Sequence, residues 1–163
     1  MKCHLKPVVE ILRDIEDIEE QCSFLRDELE FLKTVSRCYD PQKIATCICD
    51  LSKGVCKKIP ICHDGRLKSI SIFDLLLVKR HRYCEVELKL RVRSREKVKD
   101  YVNASLEKFS TPCCDYSDAR EVMRVIVFID PETAGKARSY LDERRPKYRV
   151  LVLALSEACR CLG

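Results

Sequence analysis

Apolar side chains recur at Val8, Ile11, Ile15, Ile18, Cys22, Leu25, Leu29 and Leu32, in alternating steps of three and four residues. That is a heptad seam kept for more than three heptads, with acidic neighbours such as Asp14, Glu16, Asp17, Glu19 and Glu20. Pro7 suits the first turn of a helix, and no Gly or Pro interrupts residues 8–40. The spacing predicts one long helix with a narrow buried stripe. Such a stripe either zips a coiled-coil homodimer or lies along its own domain, and a strict 3.5-residue repeat favours the dimer. The expected organisation is a dimerising helical segment, 1–40, and a second domain, 41–163.

After Pro41 the pattern changes. A short second helix is expected from about 42 to 52, stopped by Gly54. Residues 55–93 then read as a three-stranded antiparallel meander, with an Asp64-Gly65 turn and a "KRHR" turn at 79–82. Ser94 is placed to cap a helix from about 95 to 109. "MRVIVFID" and "YRVLVLAL" are buried strands of the kind a parallel sheet uses, and Asp130-Pro131 between them opens another helix. The order helix–(helix)–three strands–helix–strand–helix–strand predicts an α/β domain with a mixed sheet.

The charge is unevenly spread. Residues 1–51 carry 7 basic and 11 acidic side chains, whereas 52–99 carry 14 and 5, so the excess of cations sits in the central block. A basic block of this kind suits a nucleic-acid-facing surface, and a solvated face is the plain alternative. No apolar run is long enough to span a bilayer, and the N-terminus lacks the apolar core of a signal peptide, so an intracellular, cytoplasmic protein is expected. Twelve cysteines are unusual in that setting. Together with the high Lys, Arg and Glu content they point to a hot-growing source, a hyperthermophilic archaeon or its virus, with some cysteines paired. No pair has C-x-x-C spacing, so a metal held by Cys47, Cys49, Cys56 and Cys62-His63 is the weaker reading beside buried thiols or disulfides.

The candidate chemistry lies in "FDLLLVKRHRYCEVELKL", residues 73–90. A symmetric turn at "KRHR" pairs Lys79 with Arg82, and the same register sets Asp74 opposite Glu87, with Lys89 on the face of Glu87. The other face pairs Phe73 with Leu88, Leu75 with Val86 and Leu77 with Cys84. Directly opposed carboxylates destabilise a sheet unless a cation lies between them. Two carboxylates, waters and substrate phosphates are a common magnesium arrangement, and a nearby lysine can steady charge on the phosphate. Glu85 shares this face as a further ligand or a solvated acid. Lys79, Arg80, Arg82, Arg91, Arg93 and Arg95 are the candidate DNA contacts, through phosphates.

These residues resemble the PD-(D/E)xK nuclease superfamily, which includes restriction endonucleases and archaeal Holliday-junction resolvases. "FDLLLV" at 73–78 is similar to its first motif and "EVELKL" at 85–90 to its second, with "RSREKVKDYVNASLEKF" similar to the helix that follows. Phe73 stands where the motif has proline. The resemblance covers about residues 42–155 and implies a restriction-endonuclease-like mixed sheet. It also implies Asp74 and Glu87 as ligands of Mg2+ (or Mn2+), Lys89 as the catalytic lysine, and hydrolysis of DNA phosphodiester bonds. The family's acid on the first helix has Glu28, Glu30 and Asp50 as candidates, and Tyr101 stands on the later helix as a site or core residue. The alternative is a catalytically inactive nuclease-fold protein that binds or scaffolds nucleic acid. A ferredoxin-like regulatory domain is a third reading, which leaves residues 55–78 unexplained.

Overall fold

In a computed structural model, the structure describes residues 4–50, 56, 58–62, 71–92, 97–109 and 111–163. Six strands form one open mixed sheet in the order β1 (Lys6–Pro7), β2 (Ala45–Ile48), β3 (Leu75–Lys79), β4 (Arg82–Lys89), β5 (Glu121–Phe128) and β6 (Leu151–Ala154). The first four are antiparallel neighbours, while β4, β5 and β6 run parallel. The parallel steps need crossovers, supplied by α4 (Val98–Lys108) and α5 (Pro131–Arg144). β5 and β6 are near-continuous apolar runs because helices cover both faces. Asp130 caps α5 as its sequence predicts, its Oδ1 accepting the Thr133 N–H at 2.7 Å. The helix stops at Arg145, in the left-handed conformation, just before Pro146.

The expected single helix over 8–40 is instead three short ones: α1 (Val8–Arg13), α2 (Ile15–Gln21) and α3 (Arg26–Val35). The chain turns at Asp14 and again at Cys22, where a 3₁₀ turn spans Ser23–Leu25 and Cys22 is disulfide-bonded to Cys56. The heptad residues are still the buried ones. Val8, Ile11, Ile18, Cys22, Leu25, Leu29 and Leu32 pack on the sheet face formed by Leu75, Leu77, Cys84, Val86 and Leu88. The stripe assigned to a coiled-coil dimer is therefore covered by the chain's own sheet. Breaking the helix lets a stripe longer than the sheet fold back over it.

The opposite face is a second apolar layer in which Val98, Val102 and Leu106 of α4 and Ala134, Ala137 and Leu141 of α5 meet Leu76, Val78, Ile126 and Val152. The expected helix at 42–52 is replaced by strand β2, so the meander is β2–β3–β4. β-branched Thr46 and Ile48, both buried, suit a pleated strand between two layers. Residues 60–62 lie beside the end of β2, with Ile61 bridging Ile48 in parallel. The Asp64-Gly65 turn, His63 and the Ser94 cap fall outside the described residues. Two further disulfides, Cys38–Cys159 and Cys49–Cys113, join distant segments. No helix among the described residues is long and apolar enough to cross a membrane.

Candidate active site

The β3–β4 ladder runs Leu75–Val86, Leu76–Glu85, Leu77–Cys84, Val78–Tyr83 and Lys79–Arg82, the register a symmetric two-residue turn at Arg80-His81 sets. The ladder stops at Leu75. Phe73 does not pair with Leu88 on the face of Leu75; it packs in the opposite apolar layer, 6.2 Å from the ring of Phe109. Asp74 sits in the bend between. Its Oδ2 accepts the Leu88 N–H at 2.7 Å, so the side chain takes the place of a backbone ladder partner. Its carbonyl accepts the N–H groups of Cys49 and Asp50, at 2.9 and 3.3 Å, which ties the bend to the end of β2.

Asp74 is 4% exposed and Glu87 1% exposed. Burial pushes the Asp74 carboxyl well above the ordinary carboxylate range, and the charges of Glu87 and Glu28 push it further, against the opposing pull of the Leu88 N–H. Glu28 lies on α3, fully buried, and its influence on Asp74 sets it apart from Glu30, which is exposed. Glu87 Oε1 meets two ammonium groups, Lys89 Nζ at 3.5 Å and Lys108 Nζ at 3.3 Å. On its other side Glu87 shares a side-chain hydrogen bond with Asp74, which adds to the upward push on the Asp74 carboxyl. Lys89 Nζ lies 6.0 Å from the centre of the Tyr101 ring, so Tyr101 stands at the edge of the cluster as well as on α4.

Lys108 escapes sequence reasoning because it lies 21 residues from Glu87, on the last turn of a helix. Burial acts to lower its ammonium, but Glu87, Asp74 and Asp50 outweigh that and raise it. Asp50 thus stands at the rim. Glu85 is neither solvated nor beside Asp74. Its Oε2 accepts the Tyr116 hydroxyl at 2.7 Å and its Oε1 faces Arg124 Nε at 3.3 Å. Burial raises it to about 7, although Tyr116 and Arg124 both pull it down.

The described candidate DNA contacts do not form one surface. Arg91 is near the acid pair in sequence and binds Asp27 of α3 at 3.1 Å. Lys79, Arg80 and Arg82 are at the other end of the hairpin. Arg93 and Arg95 lie outside the described residues. The cysteine metal site is not supported: Cys49 is bonded to Cys113 and Cys56 to Cys22, and Cys47 is a buried free thiol. The sulfurs of Cys49, Cys62 and Cys113 cluster within 4.8 Å, but Cys62 is also disulfide-bonded, so the cluster has no thiolate to offer.

The fold and the cluster together define a class: a mixed α/β domain with a buried acid pair and two lysines at the open end of an antiparallel hairpin. Compared with family models, curated proteins and solved structures, the chain matches none.

Proposed function

We propose that the chain is a divalent-metal-dependent DNA endonuclease, with a restriction-endonuclease-like core and Mg2+ (or Mn2+) as its cofactor. The observation that carries this reading is the burial of Asp74 and Glu87 in contact with each other, so that charge on one raises the cost of charge on the other. Two such acids oppose folding when both are charged. A hard cation fits them, because it takes oxygen ligands and removes their repulsion. Asp74 and Glu87 are the residues that would hold it, with Glu28 as the third acid. When bound, such an ion supplies Lewis acidity at a phosphate.

The protein's own groups supply the rest. The Leu88 N–H fixes the Asp74 carboxylate. Lys89 presents its ammonium beside Glu87, where it stabilises charge that grows on the phosphate. Lys108 holds Glu87 from the helix side and trims the negative charge of the site. Arg91, exposed and ion-paired with Asp27, is the described cation on this side that would meet a flanking phosphate. A dimer through the heptad stripe is not part of this reading, since those side chains are already covered. The test is incubation with branched, linear and single-stranded DNA in Mg2+ or Mn2+, beside an Asp74→Ala variant. Cleavage that disappears in the variant supports the nuclease. Binding without cleavage by both proteins assigns the chain to the inactive, nucleic-acid-binding alternative.

A further inference from the structure

At the far end of the β3–β4 hairpin three separate stretches of chain converge. The turn brings Lys79, Arg80, His81 and Arg82, the residue just before β5 is Arg120, and the segment before β2 brings Lys43. They line two adjoining hollows that share Lys79 and Arg80. Among the described residues that line the two hollows, Asp40 and Glu121 are the acids that face these five permanent cations, and Glu121 Oε2 lies 3.6 Å from Arg82 Nε. Two cations are held in place by the protein. Lys79 Nζ sits 4.9 Å from the centre of the Tyr39 ring, and Arg82 Nη1 donates to the Leu162 carbonyl at 3.0 Å. Lys43, Arg80 and Arg120 are exposed, and no carboxylate pairs with them among the described residues.

Arg80 has φ 56, a left-handed conformation that a bulky L-residue adopts at a cost and that tight hairpins normally give to Asn or Gly. The chain keeps a guanidinium there instead. The cations line two adjoining hollows and not one, which suits a row of phosphates better than a single small anion. From Arg82 to Lys89 is seven strand steps, about 23 Å at the usual rise, so one phosphate cannot touch both the tip and the acid pair.

We propose that this end of the sheet is a second nucleic-acid backbone site, separate from the acid pair and formed by Lys43, Lys79, Arg80, Arg82 and Arg120. It shares a ligand class with the nuclease reading but needs no metal chemistry. Binding measured in EDTA therefore lets either idea fail alone.

The experiment is fluorescence anisotropy of the full chain with a labelled DNA duplex in EDTA, across a salt series. Wild type is compared with Arg80→Gly and with a Lys43→Ala/Arg80→Gly/Arg120→Ala variant. Arg80→Gly weakens binding by about eightfold at ~0.1 M salt, the counterion release expected for one cation, and the triple variant lowers the salt slope by about 2.7. Glycine is at ease at this φ, so the melting temperature of Arg80→Gly holds or rises, which separates lost binding from misfolding. A triple variant with wild-type affinity and salt slope overturns the proposal. So does displacement of the DNA by polyglutamate at equal charge concentration, which would assign the surface to an acidic protein partner.

Discussion

Replacing Asp74 by asparagine should stabilise the metal-free protein at alkaline pH while removing its response to magnesium. The amide keeps an oxygen for the Leu88 N–H, so the bend is retained. What disappears is a buried negative charge beside Glu87. With the two contacting carboxylates taken as about 5 Å apart, the repulsion at an effective dielectric near 20 is about 3 kcal/mol. Lys89 and Lys108 on Glu87 offset part of it. A net gain of about 1–3 kcal/mol remains, a rise in melting temperature of roughly 2–12 °C for a chain of this size. The sign in pH follows from Asp74 being raised in the folded state. The Asp74 contribution to wild-type stability is fullest below the unfolded carboxylate range, near pH 4, and is lost as the pH rises through the elevated folded value. Asp74→Asn should flatten that decline. Saturating Mg2+ should restore the wild type at high pH, by about 2.7 kcal/mol at a hundredfold excess over Kd, and leave the variant unmoved. The assay is thermal or urea unfolding under non-reducing conditions, with EDTA or Mg2+, at acid and alkaline pH. A variant less stable than wild type at every pH, or one that gains as much from Mg2+ as wild type does, would refute the reasoning.

The two lysines on Glu87 should separate kinetically. Lys89→Met is expected to lower kcat for DNA cleavage by about 10²–10³-fold, as loss of a transition-state donor does, whereas Lys108→Met should reduce the Mg2+ needed for half-maximal cleavage by about threefold to tenfold, because the site becomes more negative. Equal effects of the two on kcat would contradict those roles. Arg124→Met leaves the Glu85 carboxylate without its cation and should destabilise the protein by about 2–3 kcal/mol at pH 8, discounted for the partial exposure of Arg124. Glu85, already raised to about 7, moves higher still in that variant, so its stability should keep falling above pH 7 where the Glu85 contribution in wild type has levelled off; parallel pH curves would sink this account. Removing the Cys38–Cys159 disulfide by Cys38→Ser/Cys159→Ser opens a link across 121 residues and should cost about 2–5 kcal/mol, read by urea unfolding beside the oxidised wild type.

Local chemistry was enough for several elements. Alternation and the "KRHR" turn set the β3–β4 register, because a period of two and a two-residue loop leave little freedom. The Asp130-Pro131 cap and the two apolar runs around α5 are equally local. The heptad residues also declared themselves as buried. Periodicity, however, reports only that a stripe is covered, not by what, and here the chain's own sheet covers it after two turns that no Gly or Pro announces. β2 is not legible as a strand in the sequence because a four-residue strand carries too few positions to show its period. Phe73 left its expected face because the Asp74 side chain ends the ladder.

For the candidate site, Asp74, Glu87 and Lys89 were legible as neighbours across one hairpin. Their partners were not, since Glu28 and Lys108 reach the acid pair from helices in two different layers of the fold. The basic stretch read as one surface in sequence, yet one strand's length divides it, leaving Lys79, Arg80 and Arg82 beside Lys43 and Arg120 instead. The sequence by itself determined that the heptad stripe is buried and where the hairpin turns, because those follow from short-range geometry. Only the tertiary structure decided what covers the heptad stripe, which helices complete the acid cluster and where the cations gather, because those depend on contacts between segments far apart in the chain.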